Sequence, residues 1–272
     1  MSISEDIRSR YVSESITTLE ACELVVNEFL PGQADQTKPR SLEYAIKELG
    51  VTLNVDSAAP FEGRYRKCCD GKPEITLRRV PSDARTRFTL AHEIGHYLID
   101  QVAGSRSMEL FRNPVGNESA NRDEEFYADV LAASILMPKN QMLEEGVPDL
   151  SFVSVDQGMK RFGVSREAYL RRFACVFKKD VVYLSCVPKI FKDHGSMAIV
   201  DHGTRLTSKA GYARLRDRAA FASVTPFHSV QKLVESGVEM FLGKKIRLVK
   251  GKTSFKFGMI PKVRILAEEM SG

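Results

Sequence analysis

The chain has 272 residues, 43% of them hydrophobic and 28% charged, with a formal net charge of +5. That length suits one large or two modest domains. No run of about 18 apolar residues is present to span a bilayer, and the opening MSISEDIRSR lacks the apolar core of a secretory signal, so a cytoplasmic chain without membrane contact is expected.

Residues 13–29 read as a helix with Ile16, Leu19, Leu24, Val25 and Phe29 apolar, closed by Leu30-Pro31-Gly32. A polar linker runs to Pro39, and a second helix over 41–49 ends at Gly50. The alternation of Val51, Leu53 and Val55 predicts a strand. RYRKCCDGKPEITLRRV predicts a hairpin, with strands at 64–67 and 74–80 and Asp70-Gly71 as the turn. A strand leading directly into the next helix would place a sheet edge beside it, where a peptide could add as a further strand. The five cysteines, Cys22, Cys68, Cys69, Cys175 and Cys186, are odd in number and sparse, which argues for reduced thiols. Cys68 and Cys69 read as ordinary free thiols, the alternative being a thiolate lent to a nearby metal as an inhibitory fourth ligand.

The stretch RTRFTLAHEIGHYLID, residues 85–100, sets His92, Glu93 and His96 into one predicted amphipathic helix begun by Pro81, Ser82 and Asp83. Histidines four apart project from one face, a turn apart, where both imidazoles reach one metal ion. Zinc favours such nitrogen donors, and a catalytic site keeps three protein ligands with one open position. Glu93 lies off the ligand face, placed to take a proton from water. Gly95 sits mid-helix at a cost of about 1 kcal/mol against alanine, which points to close approach by another element.

A third ligand must follow His96. After a polar loop, RDEEFYADVLAASILMP predicts an apolar helix stopped by Pro138. Glu125 and Asp129 are four apart and share a face, so Glu125 can complete a His-His-Glu set while Asp129 accepts a hydrogen bond from a ligand histidine. Glu124 points about 100° away and, with Asp123, reads as a solvated charge at the helix start. The alternative is that all four acids merely favour that N-terminus. Residues 155–173, VDQGMKRFGVSREAYLRRF, predict two short helices joined at Gly163-Val164-Ser165, with Ser165 as N-cap. Such a helix-turn-helix reads DNA through its second helix, here carrying Arg166, Arg171 and Arg172; packing beside the catalytic domain is the favoured alternative.

Taken together, RTRFTLAHEIGHYL, then EEFYADVLAASILMP about thirty residues later, then FGVSREAYLRR, resemble the ImmA/IrrE family of zinc metallopeptidases. Members carry a similar RFTLAHE-GH helix, a glutamate three residues before an Ala-Asn or Ala-Asp pair, and a closing Leu-Met-Pro. The resemblance covers roughly residues 40–177. It implies zinc on His92, His96 and Glu125, Glu93 as the catalytic glutamate, and Asp129 at the supporting polar position. Many members have a second glutamate just before the alanine; this chain has Tyr127, which leaves Glu125 as the better ligand. It further implies an α+β, zincin-like peptidase domain over 1–177, including the helix-turn-helix-like segment 152–177. The implied substrate is a helix-turn-helix repressor, cut to release stress, DNA-damage or anti-phage genes.

Beyond residue 177, VVYLSCV, SMAIV, KKIRLVK, SFKFGMI and KVRILA predict short strands, with helices near 212–221 and 230–241. This predicts a smaller α/β regulatory domain over 178–272, similar in order to the GAF-like sensor domain of the IrrE branch. His194, His202 and His228 lie there without ligand spacing. The segment holds 18 Lys and Arg against 8 Asp and Glu, leaving 22 against 27 for residues 1–177, so basic charge is confined to one end. Arg214, Arg216 and Arg218 cluster in one stretch, while Lys244, Lys245, Arg247, Lys250, Lys252 and Lys256 alternate with Ile246, Leu248, Val249, Phe255 and Phe257, a mixture suited to single-stranded DNA; a solvated basic face with Phe255 and Phe257 in the core is the alternative. Two rivals to a peptidase remain, a DNA-binding regulator on a catalytically silent zincin scaffold and a zinc-stabilised interaction module. Neither has a use for Glu93.

Overall fold

The computed structural model describes residues 18–31, 41–103, 118–144, 150–179, 181–191, 195–206, 212–214, 246–254 and 262–269. The chain divides into two compact units, Met1–Glu145 with Met159–Ala168, and Gly146–Gly158 with Tyr169–Gly272. In the first unit, α1 (Thr18–Phe29) and α2 (Leu42–Glu48) precede a three-stranded sheet of β1 (Thr52–Val55), β2 (Gly63–Lys67) and β3 (Pro73–Leu77). Ser41 caps α2 by accepting the Tyr44 N–H at 3.4 Å.

The sheet order is β1-β3-β2. β1 runs parallel to β3 and β2 antiparallel, so Leu53 and Tyr65 both oppose Ile75. The hairpin turn is the expected one, with Gly71 at φ +82° where a side chain would be strained. β3 stops at Leu77, short of the predicted 80, and Val80 is exposed. β3 leads into the next helix but is the central strand. The edge beside that helix belongs to β2.

The metal-site helix α3 (Ala84–Ala103) and α4 (Glu118–Leu136) both run longer than their motifs predicted. Asp83 starts α3, its Oδ1 accepting the N–H groups of Arg85 at 2.8 Å and Thr86 at 2.9 Å. Leu90, Ala91, Ile94 and Leu98 of α3 bury against a core that includes Ala128, Leu131, Ala132 and Ile135 of α4. Gly95 is buried at the crossing. A Cβ there would stand 2.8 Å from the Ala128 carbonyl oxygen and 3.0 Å from its Cα, so the close approach expected of this glycine is real.

After the short α5 (Lys139–Leu143), α6 (Phe152–Phe162) and α7 (Arg166–Phe177) form the helix-turn-helix-like pair, which contributes to both units. Gly163 turns at φ +63°, and Ser165 caps α7 by accepting the Ala168 N–H at 3.2 Å. A Cβ at Gly163 would lie 3.1 Å from Arg87 Nε of α3, so this turn packs on the start of the metal-site helix. Arg172 is buried with Tyr169, Leu170 and Phe173, which removes it from any DNA-reading face and favours the packing role.

In the second unit, β4 (Val181–Phe191), β5 (Gly195–Leu206), β6 (Tyr212–Arg214), β7 (Ile246–Ser254) and β8 (Lys262–Glu269) form one antiparallel sheet, ordered β6-β5-β4-β8-β7. Tyr212–Arg214, predicted as the start of a helix, is a strand, because its backbone pairs with β5, Thr204 facing Arg214. The predicted strand at 255–260 and helix at 230–241 lie outside the described residues. Among the described residues no helix is long and apolar enough to cross a membrane, and Cys68 and Cys69 carry free thiols.

The crossing at Gly95 sets a stability test. Alanine would gain about 1 kcal/mol of helix propensity and lose about 1–3 kcal/mol to overpacking against a backbone that cannot yield. Gly95→Ala should therefore lower the thermal unfolding midpoint, and Gly95→Val should lower it further. A midpoint raised by the alanine would show that the helices are free to part.

Candidate metal centre

His92 and His96 reach their places because α3 buries the stripe formed by Leu90, Ala91, Ile94 and Leu98, turning both imidazoles toward α4. Their Nε2 atoms lie 3.1 Å apart. Glu125 closes the triangle, with Oε2 3.2 Å from His92 Nε2 and Oε1 3.5 Å from His96 Nε2. Tetrahedral ligands about 2.0–2.1 Å from a zinc ion stand roughly 3.3–3.4 Å from one another, and the observed spacings bracket that value. The only group of potential metal-holding side chains among the described residues is His92, His96 and Glu125. Two histidines and one carboxylate suit zinc. Neither Cys68 nor Cys69 belongs to the group; the Cys68 thiol lies 3.8 Å from Glu74 Oε2 instead.

Each imidazole is held from behind by its own carboxylate. Asp129 Oδ1 is 3.0 Å from His92 Nδ1, as expected, and Glu124 Oε1 is 2.8 Å from His96 Nδ1. The second contact corrects the reading of Glu124 as a solvated charge: its side chain is only 18% exposed. An Nδ1–H donated to a carboxylate leaves the Nε2 lone pair for a metal and fixes the ring plane. Spacing along α4 alone sets Glu124 about 100° from Glu125, and nothing in that periodicity shows that two histidines a turn apart sit across the helix pair.

Without a metal the donors compete for protons. Burial works to lower the His92 pKa, but the hydrogen bonds its ring donates to the Asp129 and Glu125 carboxylates outweigh it and raise it to about 10. The hydrogen bond from His92 in turn holds Glu125 below the usual carboxylate range. Glu93 is 8% exposed, and burial pushes its carboxyl up, against the opposing pull of His96, His92 and the Tyr65 N–H. That N–H donates to Glu93 Oε2 at 2.7 Å. Gly63 of the same strand is needed beside it, since a Cβ there would meet Thr89 Cγ2 and stand 2.9 Å from Glu93 Oε1. Neither β2 residue carries a sequence motif.

The geometry agrees with what the chain resembles. Residues 46–174 match the IrrE N-terminal-like domain, Peptidase_M78. The match takes in the sheet, α3, α4 and the helix-turn-helix-like pair, just under half of the chain, and it supports the ImmA/IrrE resemblance and a metallopeptidase-like or regulatory role. Among solved structures, one described as a Mycobacterium tuberculosis transcriptional regulator is 14% identical, with a TM-score of 0.49, covering 99% of this chain and 82% of its own. No curated protein matches the chain.

The residues predicted for nucleic acid stand apart from this centre in the chain. Arg214 is on β6 and Arg247 on β7, the two opposite edge strands of the second sheet. Arg216, Arg218, Lys244 and Lys245 lie outside the described residues.

Two measurements follow from the donor set. A zinc ion must displace the His92 proton, so apparent zinc affinity of the metal-free chain should tighten about tenfold per pH unit between pH 7 and 9 and flatten near the His92 pKa of about 10. By the same shift, the metal-free fold keeps the full His92 contribution below its ordinary pKa of 6.5 and loses it as pH rises through about 10. Competition titration against a chelator reads the first; an affinity independent of pH would show His92 already neutral. Glu124→Ala should weaken zinc binding about 10–100-fold, as loss of a carboxylate behind a ligand histidine does, and Glu124→Gln should weaken it less. Unchanged binding in the alanine variant would make the Glu124 contact incidental.

Proposed function

We propose that this chain is a zinc-dependent endopeptidase whose substrate is a helix-turn-helix repressor. The observation that supports this most is the convergence of His92 Nε2, His96 Nε2 and Glu125 at zinc-ligand spacing, with the buried carboxylate of Glu93 next in sequence, inside a segment that matches a peptidase family. His92, His96 and Glu125 would hold the metal, with Asp129 and Glu124 engaging Nδ1 of each imidazole so that both rings turn Nε2 toward the metal position. Zinc bound there supplies Lewis acidity, polarising a peptide carbonyl and acidifying the attacking water. Glu93 takes the proton from that water and returns it to the leaving amine. Its burial suits both steps, since a carboxyl raised above its ordinary range holds a proton more readily once it has taken it and can pass it on.

The substrate class rests on the resemblance to ImmA/IrrE peptidases, in which cutting a repressor frees the genes it silences under stress, DNA damage or phage attack. The basic segment 178–272 fits a GAF-like regulatory role, with single-stranded DNA as its signal through Arg214, Arg216, Arg218, Lys244, Lys245 and Arg247. The decisive experiment incubates the chain with the repressor encoded beside its own gene, with zinc, and with or without single-stranded DNA. Cleavage at a single position, stimulated by the DNA, is expected. Glu93→Gln should retain zinc and fold while cleavage falls about 10²–10⁴-fold, whereas His96→Ala and Glu125→Ala should lose the metal. Near wild-type cleavage by Glu93→Gln, or full zinc in both ligand variants, would overturn the assignment.

A further inference from the structure

Asp100 is a buried carboxylate that the proposed chemistry leaves unused. It is 6% exposed; its Oδ2 accepts the phenolic hydrogen of Tyr65 at 2.9 Å, and its Oδ1 has no partner among the described residues. A half-satisfied buried acid costs free energy, so its presence points to a task other than stability.

Glu93, Tyr97 and Asp100 stand at i, i+4 and i+7 and share one stripe of α3. Tyr65 of β2 touches all three: its N–H meets Glu93 Oε2 at 2.7 Å, its ring packs edge-on to Tyr97 with centroids 5.8 Å apart, and its hydroxyl reaches Asp100. The register explains why that N–H is available. Cys68 N–H donates to Lys72 O, and Arg78 N–H donates to Glu62 O, so in the antiparallel pair the even-numbered positions of β2 exchange bonds with β3 and Tyr65 faces outward. β2 is an edge strand supported by the ladder on one side only and would fray readily. The Tyr65–Asp100 bond supports its other side.

We propose that Asp100 is a positioning residue for Glu93, acting through Tyr65: the phenol–carboxylate bond pins β2 so that the Tyr65 N–H holds the Glu93 carboxylate in place. The catalytic consequence rests on the reading of Glu93 as general base; the pin itself does not.

The test uses the full-length chain. Backbone amide exchange is measured on the metal-free protein for wild type, Tyr65→Phe, Asp100→Asn and the pair Tyr65→Phe with Asp100→Leu. Asparagine keeps an acceptor for the phenol, and the paired variant removes both polar partners, so it folds without an orphaned carboxylate. The Tyr65 amide should exchange about tenfold faster or more in Tyr65→Phe and in the pair, and near the wild-type rate in Asp100→Asn, while the Arg64 and Arg66 amides hold. In repressor cleavage, kcat of the pair should fall about tenfold with KM and zinc content unchanged. Equal Tyr65 exchange in all four proteins overturns the pin, and so does equal acceleration along the whole of β2, which marks a merely structural contact. Lost Tyr65 protection with unaltered kcat overturns the positioning role. A wild-type chain that never cleaves repressor defeats the peptidase reading instead, and the exchange rates still decide the pin.

Discussion

The candidate centre depends on one contact between two backbones, α3 at Gly95 against α4 at Ala128. A side chain at position 95 would meet the Ala128 carbonyl oxygen at 2.8 Å, so the helices approach as closely as they do only because position 95 has no Cβ. Ala91 and Ala132, both fully buried, keep the same interface thin. Depth of approach sets which α4 side chains meet the histidines. Glu124, Glu125 and Asp129 all flank Ala128 within four residues, and each finds an imidazole nitrogen within 3.5 Å.

That arrangement is a poor way to stabilise a fold. Buried ion pairs seldom repay their desolvation, and apolar replacements of similar volume often serve as well or better. Two imidazole Nε2 atoms facing each other at 3.1 Å need a proton or a cation between them. The raised His92 pKa of about 10 is the same electrostatic field that would draw in a divalent ion, and Glu125, with a half-exposed side chain, leaves the approach to that position open. Glu93 is held differently. It is buried away from solvent, which raises its proton affinity against the opposing pull of the two histidines and of the Tyr65 N–H on one of its oxygens.

The sheet contributes through its edge. β3 is flanked on both sides, whereas β2 is open on one, and it is β2 that lies along α3 through Gly63 and Tyr65. Placing the unpaired edge there leaves a backbone group for a helix side chain, the Tyr65 N–H for Glu93. Among the described residues the second unit adds no further metal-holding group. Its sheet is wholly antiparallel, with edges at β6 and β7, and its basic excess contrasts with the acidic first 177 residues.

The candidate ligand histidines, the glutamate between them and the pairing of Glu125 with Asp129 were legible because each is a relation within one helix, and helical spacing is local geometry that a string of residues states directly. The glycine at the crossing was legible as an anomaly, since mid-helix glycine costs free energy without a packing reason. Glu124 was misread for the same cause that Glu125 was found: its angle around α4 is a local property, but its distance from His96 depends on how two helices cross. Tyr65, Gly63 and Asp100 carry no motif, and residues 28 to 35 positions apart meet only because an edge strand lies along a helix. The sequence by itself determined which groups can hold a metal and move a proton. Only the tertiary structure decided that Glu124, Tyr65 and Asp100 join Asp129 in orienting them, because these contacts run between elements, and no periodicity within one element encodes its neighbour.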